Sequence, residues 1–98
     1  MKDSQSSYKV GEIYTPTGMY AITHKQRRRG LSWKSIEDSP DELIFERCKS
    51  IHTFGMKFDL EVLFIDSTNR ILRAKIVPKN RIVFAPKGTH AIVELPFR

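Results

Sequence analysis

Short stretches of apolar or alternating residues, separated by turn residues, run along most of the chain. The most apolar stretch is Leu60–Ile65, and its nearly continuous character predicts a strand covered on both faces. From residue 71 to residue 77 apolar and charged side chains alternate, which predicts a strand with one face on the core. Weaker patterns predict further short strands at residues 8–14, 19–22, 42–47, 81–85 and 91–95.

In the last of these predicted strands, residues 91–95, the side chains are mostly apolar and are assigned alternately to the two faces. Ala91, Val93 and Leu95 are predicted to face the core, and Glu94 is predicted to face the solvent. Turn residues at positions 66–69 predict a hairpin connection between two of the C-terminal strands.

One segment predicts a short helix. Thr23 is a suitable N-cap for the polar residues 24–29, and Gly30 is a suitable C-terminal stop. Because this segment has almost no apolar face, the packing of Leu31 and Trp33 is expected to hold it in place.

Together these elements predict an α+β fold that is predominantly β. We expect a compact, largely antiparallel sheet or partly open barrel of six to seven short strands with one short helix, since strands and helices do not alternate as they do in parallel sheets. Residues 1–7 are predicted to form a disordered tail, and residues 8–98 a single globular domain.

Composition narrows the class of protein. The chain has 98 residues, of which 40% are hydrophobic and 29% charged, and these values are typical of a globular domain. A single cysteine excludes an internal disulfide, so a reducing compartment is the default expectation. No apolar run approaches the roughly 18 residues of a membrane helix, and the first residues lack the apolar core of a signal peptide. The sequence as given therefore predicts a soluble, cytoplasmic protein.

The chain is basic, with a formal net charge of +6, which permits binding to nucleic acid or another acidic partner. Nucleic-acid modules place exposed aromatic side chains among their charges, but Trp33 and Phe84 are predicted to lie in the core. A solvated basic face is therefore favoured, and nucleic-acid binding is an alternative. The basic residues concerned are Lys25, Arg27, Arg28, Arg29, Arg73, Lys75, Lys79 and Arg81.

One polar segment in the middle of the chain carries most of the candidate chemistry. Cys48, His52 and Met56 follow one another at intervals of four residues and are the ligand types of a blue-copper site, which also needs a second histidine. Neither His24 nor His90 has a reason to converge on them, so we expect no metal and no cofactor. Cys48 and His52 are also the residue types of a thiolate and base pair, although no oxyanion-stabilising element accompanies them.

His52 and Glu61 form a further candidate pair. His52 lies where a loop meets the sheet, and Glu61 interrupts the start of the apolar strand, where a carboxylate needs solvent or a donor. We predict that His52 points into a pocket beside Glu61, with Arg29 at its border. Such a pair suits acid–base chemistry, and it equally suits an internal hydrogen-bond network that ties the loop to the sheet.

Three short motifs resemble, in their order and spacing, a bacterial and archaeal family called domain of unknown function 192. The resemblance covers roughly residues 14–96 and implies a compact, mostly β domain with no agreed activity, many of whose relatives are exported. The motifs are Arg29-Gly30-Leu31, then Cys48-Lys49-Ser50-Ile51-His52-Thr53 with Met56 and residues 61–66, then Pro78 with Arg81 and residues 91–96.

The chain departs from the family pattern in two places. The family usually has Pro, an apolar residue and Asp before the apolar strand, where this chain has Asp59, Leu60 and Glu61. It usually continues past Glu-Leu-Pro with a small residue and Gly, where this chain has Phe97 and Arg98. The first departure keeps a carboxylate but lengthens its reach, which bears on any role that needs a fixed position.

The favoured interpretation is a ligand- or partner-binding module with a polar pocket around residues 48–61. Its partner would be an unknown small molecule or protein. The alternatives are an enzyme with His52 and Glu61 as its acid–base pair, and a nucleic-acid-binding accessory protein. The predicted binding residues are Arg29, Cys48, His52, Thr53, Met56 and Glu61.

Overall fold

The computed structural model describes residues 6–97, which form seven strands and one short helix. The elements in chain order are β1 Met19–Tyr20, α1 His24–Arg29, β2 Leu43–Glu46, β3 Ser50–His52, β4 Leu60–Ile65, β5 Ile71–Val77, β6 Ile82–Phe84 and β7 Ala91–Pro96. The predicted fold class, mostly β with one short helix, is confirmed.

The strands are divided between two sheets. Five of them form a sheet in the order β1-β2-β7-β4-β5, in which every neighbouring pair is antiparallel except β1 and β2. The other two, β3 and β6, form a separate antiparallel pair. Neither sheet closes into a barrel, so the fold is the open, largely antiparallel form of the prediction.

The core has two layers, one on each face of the five-stranded sheet. On the first face, Leu60, Val62 and Phe64 of β4 pack with residues around α1 and the small sheet, such as Ile51 and Met56. On the second face, the alternate residues of β4 and β7 pack beneath the aromatic rings of the N-terminal segment; they include Leu63, Ile65, Val93 and Leu95, with Tyr8 and Tyr14. β4 is therefore buried on both faces, as its apolar run predicts.

Glu94 corrects the prediction for the last strand, because its side chain is buried and only 2% exposed. β7 lies in the middle of the sheet, between β2 and β4, and all six of its residues are buried. Alternation points a polar residue to solvent only when one face of the strand is open. Here both faces are covered, and Glu94 lies on the first face with Ile92.

Two predicted core aromatics are exposed instead, which is a second correction: Trp33 is 65% exposed and Phe84 70%. Phe84 lies on β6, where Val83 alone turns toward the core, because the two-stranded sheet is covered on one side only. Trp33 adopts a positive φ of 69°, and its ring packs against Gly55.

The N-terminal segment also differs from its prediction. Residues 8–14 form no strand; an isolated β-bridge joins Ile13 to Arg70, the residue before β5. The predicted tail, residues 1–7, lies mostly outside the described residues, and its described members Ser6 and Ser7 contact Glu61. Within residues 6–97 no helix is long and apolar enough to cross a membrane.

Candidate functional site

A cavity of about 250 Å³ lies between the C-terminal end of α1 and the small sheet of β3 and β6. Binding pockets for organic ligands span roughly 300–1,000 Å³, so this cavity suits a small molecule or one ring of a larger one. Three arginines of α1 form one side of the cavity, and apolar side chains form much of the rest. Those residues are Arg27, Arg28 and Arg29, with Phe45, Phe54 and Ile82.

Glu94 lines the cavity from the central strand β7. Its Oε1 atom is buried and has no hydrogen-bond partner within residues 6–97, although a buried polar atom normally has one. Burial in these surroundings raises the pKa of the Glu94 carboxyl from 4.5 to about 8, since the charged form loses its hydration. The carboxyl group is therefore mainly neutral at pH 7 and has unused hydrogen-bonding capacity.

Gly30 allows α1 to end close to this carboxyl group. The helix begins with a capping box, in which Thr23 and Gln26 each bond to the backbone of the other, and it ends at Gly30 with φ of 57°. A Cβ atom at Gly30 would lie 3.2 Å from Glu94 Oε1 and 3.6 Å from Phe45 Cζ. A residue with a side chain would therefore be strained and would press on Glu94.

We predict that Gly30→Ala lowers the free energy of unfolding by about 1–3 kcal/mol, because alanine at this φ is strained, and because its methyl group crowds Glu94. Gly11→Ala is the matched control, since Gly11 also has a positive φ, of 94°, but its Cβ would meet no atom within 4 Å. Urea unfolding of both variants measures the difference. Equal losses would show that the contact with Glu94 is unimportant.

His52 is held between α1 and its own loop. Its Nε2 lies 2.9 Å from the carbonyl oxygen of Arg28, and its Nδ1 accepts the Phe54 N–H at 3.2 Å. Its ring also stacks on Phe54, with centroids 5.4 Å apart. Because Nδ1 accepts, Nε2 must carry the proton and donate to Arg28, so both nitrogens of a neutral ring are engaged. This arrangement suits a positioning residue, and a proton-transfer role would require one of these bonds to break.

The structure brings Arg29 and His52 together at the cavity but places Glu61 elsewhere. Glu61 lies on the second face of the sheet, where its carboxylate accepts hydrogen bonds from the Ser6 hydroxyl and the Ser7 N–H. The predicted contact between His52 and Glu61 is therefore wrong. The reason is that β3 pairs with β6 and not with β4, so His52 lies over the first face of the sheet.

The other predicted binding residues have separate surroundings. Thr53 is buried, donates to the carbonyl oxygen of Pro78 at 2.7 Å and accepts from the Arg81 N–H at 2.8 Å. Met56 lies in the first core layer. The Cys48 thiol donates to the Ser50 carbonyl oxygen at 3.0 Å.

The candidate metal ligands thus lie in three different settings. Cys48 is half-buried beside the turn before β7, His52 lines the cavity, and Met56 lies in the core. Among residues 6–97 no group of three His, Cys, Asp or Glu side chains is placed to hold a metal ion. The binding roles predicted for Cys48, Thr53, Met56 and Glu61 stay predictions.

Glu94 is the charged residue of the cavity that sequence reasoning missed. The signal was present: Glu94 is the one charged residue in the apolar run from Ala91 to Pro96. Glu94, like Glu61, is a carboxylate inside an apolar strand and needs a hydrogen-bond donor.

The sequence model of the DUF192 family, described as an uncharacterised ACR, matches residues 10–97. No curated protein and no solved structure matches the chain. The match extends over all seven strands, α1 and the cavity between them.

Proposed function

The chain belongs to the DUF192 family, and we propose that it is a binding module for a small molecule that occupies the cavity above Glu94. One observation carries the proposal: Glu94, a residue only 2% exposed, lines a cavity and has a carboxyl oxygen without a hydrogen-bond partner in residues 6–97. Leaving such an atom unpaired is costly, and a ligand that hydrogen-bonds to it recovers that cost.

The charges around the cavity favour a ligand that carries a negative charge as well as a hydrogen-bonding group. Arg27 is positioned by the hydrogen bond from its Nη2 to the Glu46 carbonyl oxygen, at 2.9 Å. Arg28 and Arg29 form no ion pair within residues 6–97. Guanidinium groups free of acidic partners attract phosphate or carboxylate groups.

The enzyme alternative receives less support from this geometry. Its proposed base, His52, uses both ring nitrogens to hold the Arg28 carbonyl oxygen and the Phe54 N–H. Its proposed partner, Glu61, lies on the other face of the sheet and is engaged with Ser6 and Ser7. Binding by a preformed cavity requires neither group to exchange a proton.

The test is a thermal-shift screen of nucleotides, sugar phosphates, amino acids and carboxylic acids with the wild-type protein and with Glu94→Met. A ligand at 100 times its Kd adds about 2.7 kcal/mol to the stability of the folded state. We expect at least one anionic compound to raise the Tm of the wild type and to have no effect on Glu94→Met, which keeps a side chain of similar length but cannot hydrogen-bond strongly.

Glu61→Gln serves as the comparison variant, because it alters the predicted carboxylate on the second face. A ligand whose effect disappears in Glu61→Gln and persists in Glu94→Met would place the site on that face and contradict the proposal. A screen in which no compound distinguishes Glu94→Met from the wild type would also contradict it.

A further inference from the structure

We propose, on the basis of the function proposed above, that the ligand is a nucleotide whose base enters the cavity and hydrogen-bonds through its edge to Glu94, while its phosphate group lies at the arginines of α1. The cavity combines three features that few other small ligands need together: a hydrogen-bonding group at its buried end, apolar walls and a cationic side.

The buried end of the cavity matches the edge of a base. A neutral carboxyl group has one O–H donor and one carbonyl acceptor side by side. Adenine presents the complementary pair, an amino donor next to a ring-nitrogen acceptor, which is also how Asn and Gln side chains bind adenine. A carboxylate would offer two acceptors and would suit guanine instead. Because burial raises the pKa of Glu94 to about 8, the neutral group predominates at pH 7 and favours adenine.

The walls of the cavity suit the flat faces of a base. Phe54 and Ile82 both line it and are 47% and 56% exposed, so their apolar surfaces are open to a ligand. Phe54 also stacks on the ring of His52. Bases in single-stranded recognition stack on such aromatic side chains, and stacking tolerates a rim that is partly open.

The cationic side suits the phosphate. Arg28 and Arg29 are exposed at the cavity, and no acidic residue pairs with either of them within residues 6–97. Beyond the cavity, the exposed ring of Phe84 lies two residues from Ile82, on the same face of β6. A mononucleotide would use the arginines alone, and a nucleotide within a single strand would also have room to stack on Phe84.

The experiment is calorimetric titration of the full chain at pH 7 with AMP, GMP, ribose 5-phosphate, inorganic phosphate and a short oligo(dA). We expect AMP or oligo(dA) to bind at least about tenfold more tightly than GMP, ribose 5-phosphate and inorganic phosphate, since those three compounds lack the matched base edge. Binding to AMP identifies a free nucleotide as the source, and binding to oligo(dA) alone identifies a nucleotide in a strand.

Variants then test each contact. Glu94→Gln retains a donor and an acceptor and should keep adenine binding, whereas Glu94→Met should weaken it about tenfold or more. Replacing Arg28 and Arg29 together by Gln should weaken binding, and replacing Arg73 and Lys75 by Gln should not. That control removes the same charge from β5, at the far edge of the sheet.

If the two double variants lose binding affinity equally, the protein attracts polyanions in general, and the inference is overturned. Ribose 5-phosphate or a carboxylic acid could instead bind more tightly than AMP, with this binding lost in Glu94→Met. In that case the nucleotide inference fails and the proposed binding function stands. If no ligand responds to Glu94→Met, both fail.

Discussion

Glu94→Gln should make the protein more stable than the wild type at pH 9 and should leave its stability nearly unchanged at pH 4.5. In the folded wild type the pKa of Glu94 is raised from 4.5 to about 8 by burial, whereas the unfolded chain keeps the ordinary value. Below pH 4.5 both states carry the proton. Between pH 4.5 and about 8 the unfolded state releases it and the folded state does not, so stability falls as the pH rises.

The size of this effect makes it measurable. At about 1.4 kcal/mol for each pH unit, the stability lost by the wild type through Glu94 approaches roughly 5 kcal/mol by pH 8 and is constant above it. The glutamine side chain cannot ionise, so the variant escapes this loss. Arg27, Arg28, Arg29 and His52 face the same cavity, and any positive charge on them favours ionised Glu94 and reduces the effect.

The measurement is urea unfolding of wild type and variant at pH 4.5, 5, 7 and 9. Subtracting the two free energies at each pH removes the contributions of all other titrating groups. The difference should grow in favour of the variant from pH 5 to pH 9. A difference that does not vary with pH would mean that Glu94 ionises as readily in the folded protein as in the unfolded chain.

Phe64→Ala should lower the free energy of unfolding by about 3–5 kcal/mol, the usual cost of removing a large side chain from a tight core. Phe64 is fully buried in the first core layer, on the strand β4 that β5 and β7 flank. Its neighbours lie on paired strands and have little freedom to fill the space left behind.

Phe84→Ala is the matched control for this prediction, because it removes the same atoms from a position that is 70% exposed. We expect its effect to stay within about 0.5 kcal/mol. A loss below about 1 kcal/mol for Phe64→Ala, or similar losses for the two variants, would show that the core is not organised around β4.

The elements that sequence reasoning predicted well are those whose signal is local. β4 and β5 follow from an apolar run and an alternating run, and α1 follows from Thr23 as the N-cap and Gly30 as the stop. Their boundaries depend on neighbouring residues alone. The periodicity of side chains and the chemistry of helix ends are enough to place them.

Apart from the strand predicted at residues 8–14, the errors concern which faces of the strands are covered, and that depends on distant parts of the chain. Glu94 is buried because β7 inserts between β2 and β4, and Phe84 is exposed because β6 pairs only with β3. His52 misses Glu61 for the same reason, since the pairing of β3 with β6 carries it to the first face. Each of these residues can be read from the sequence, but the strand order that orients it cannot.

The position of β7 in the centre of the sheet also governs the order in which the protein is able to fold. β2 and β4 have no contact as strand partners except through β7, which is the last strand along the described chain. During synthesis, β4 and β5 can form their hairpin as soon as both have left the ribosome, but β2 keeps an unpaired edge until residues 91–96 emerge. Exposed strand edges and late, long-range pairing slow folding and favour aggregation. β2 therefore joins the centre of the five-stranded sheet only after β7 has emerged.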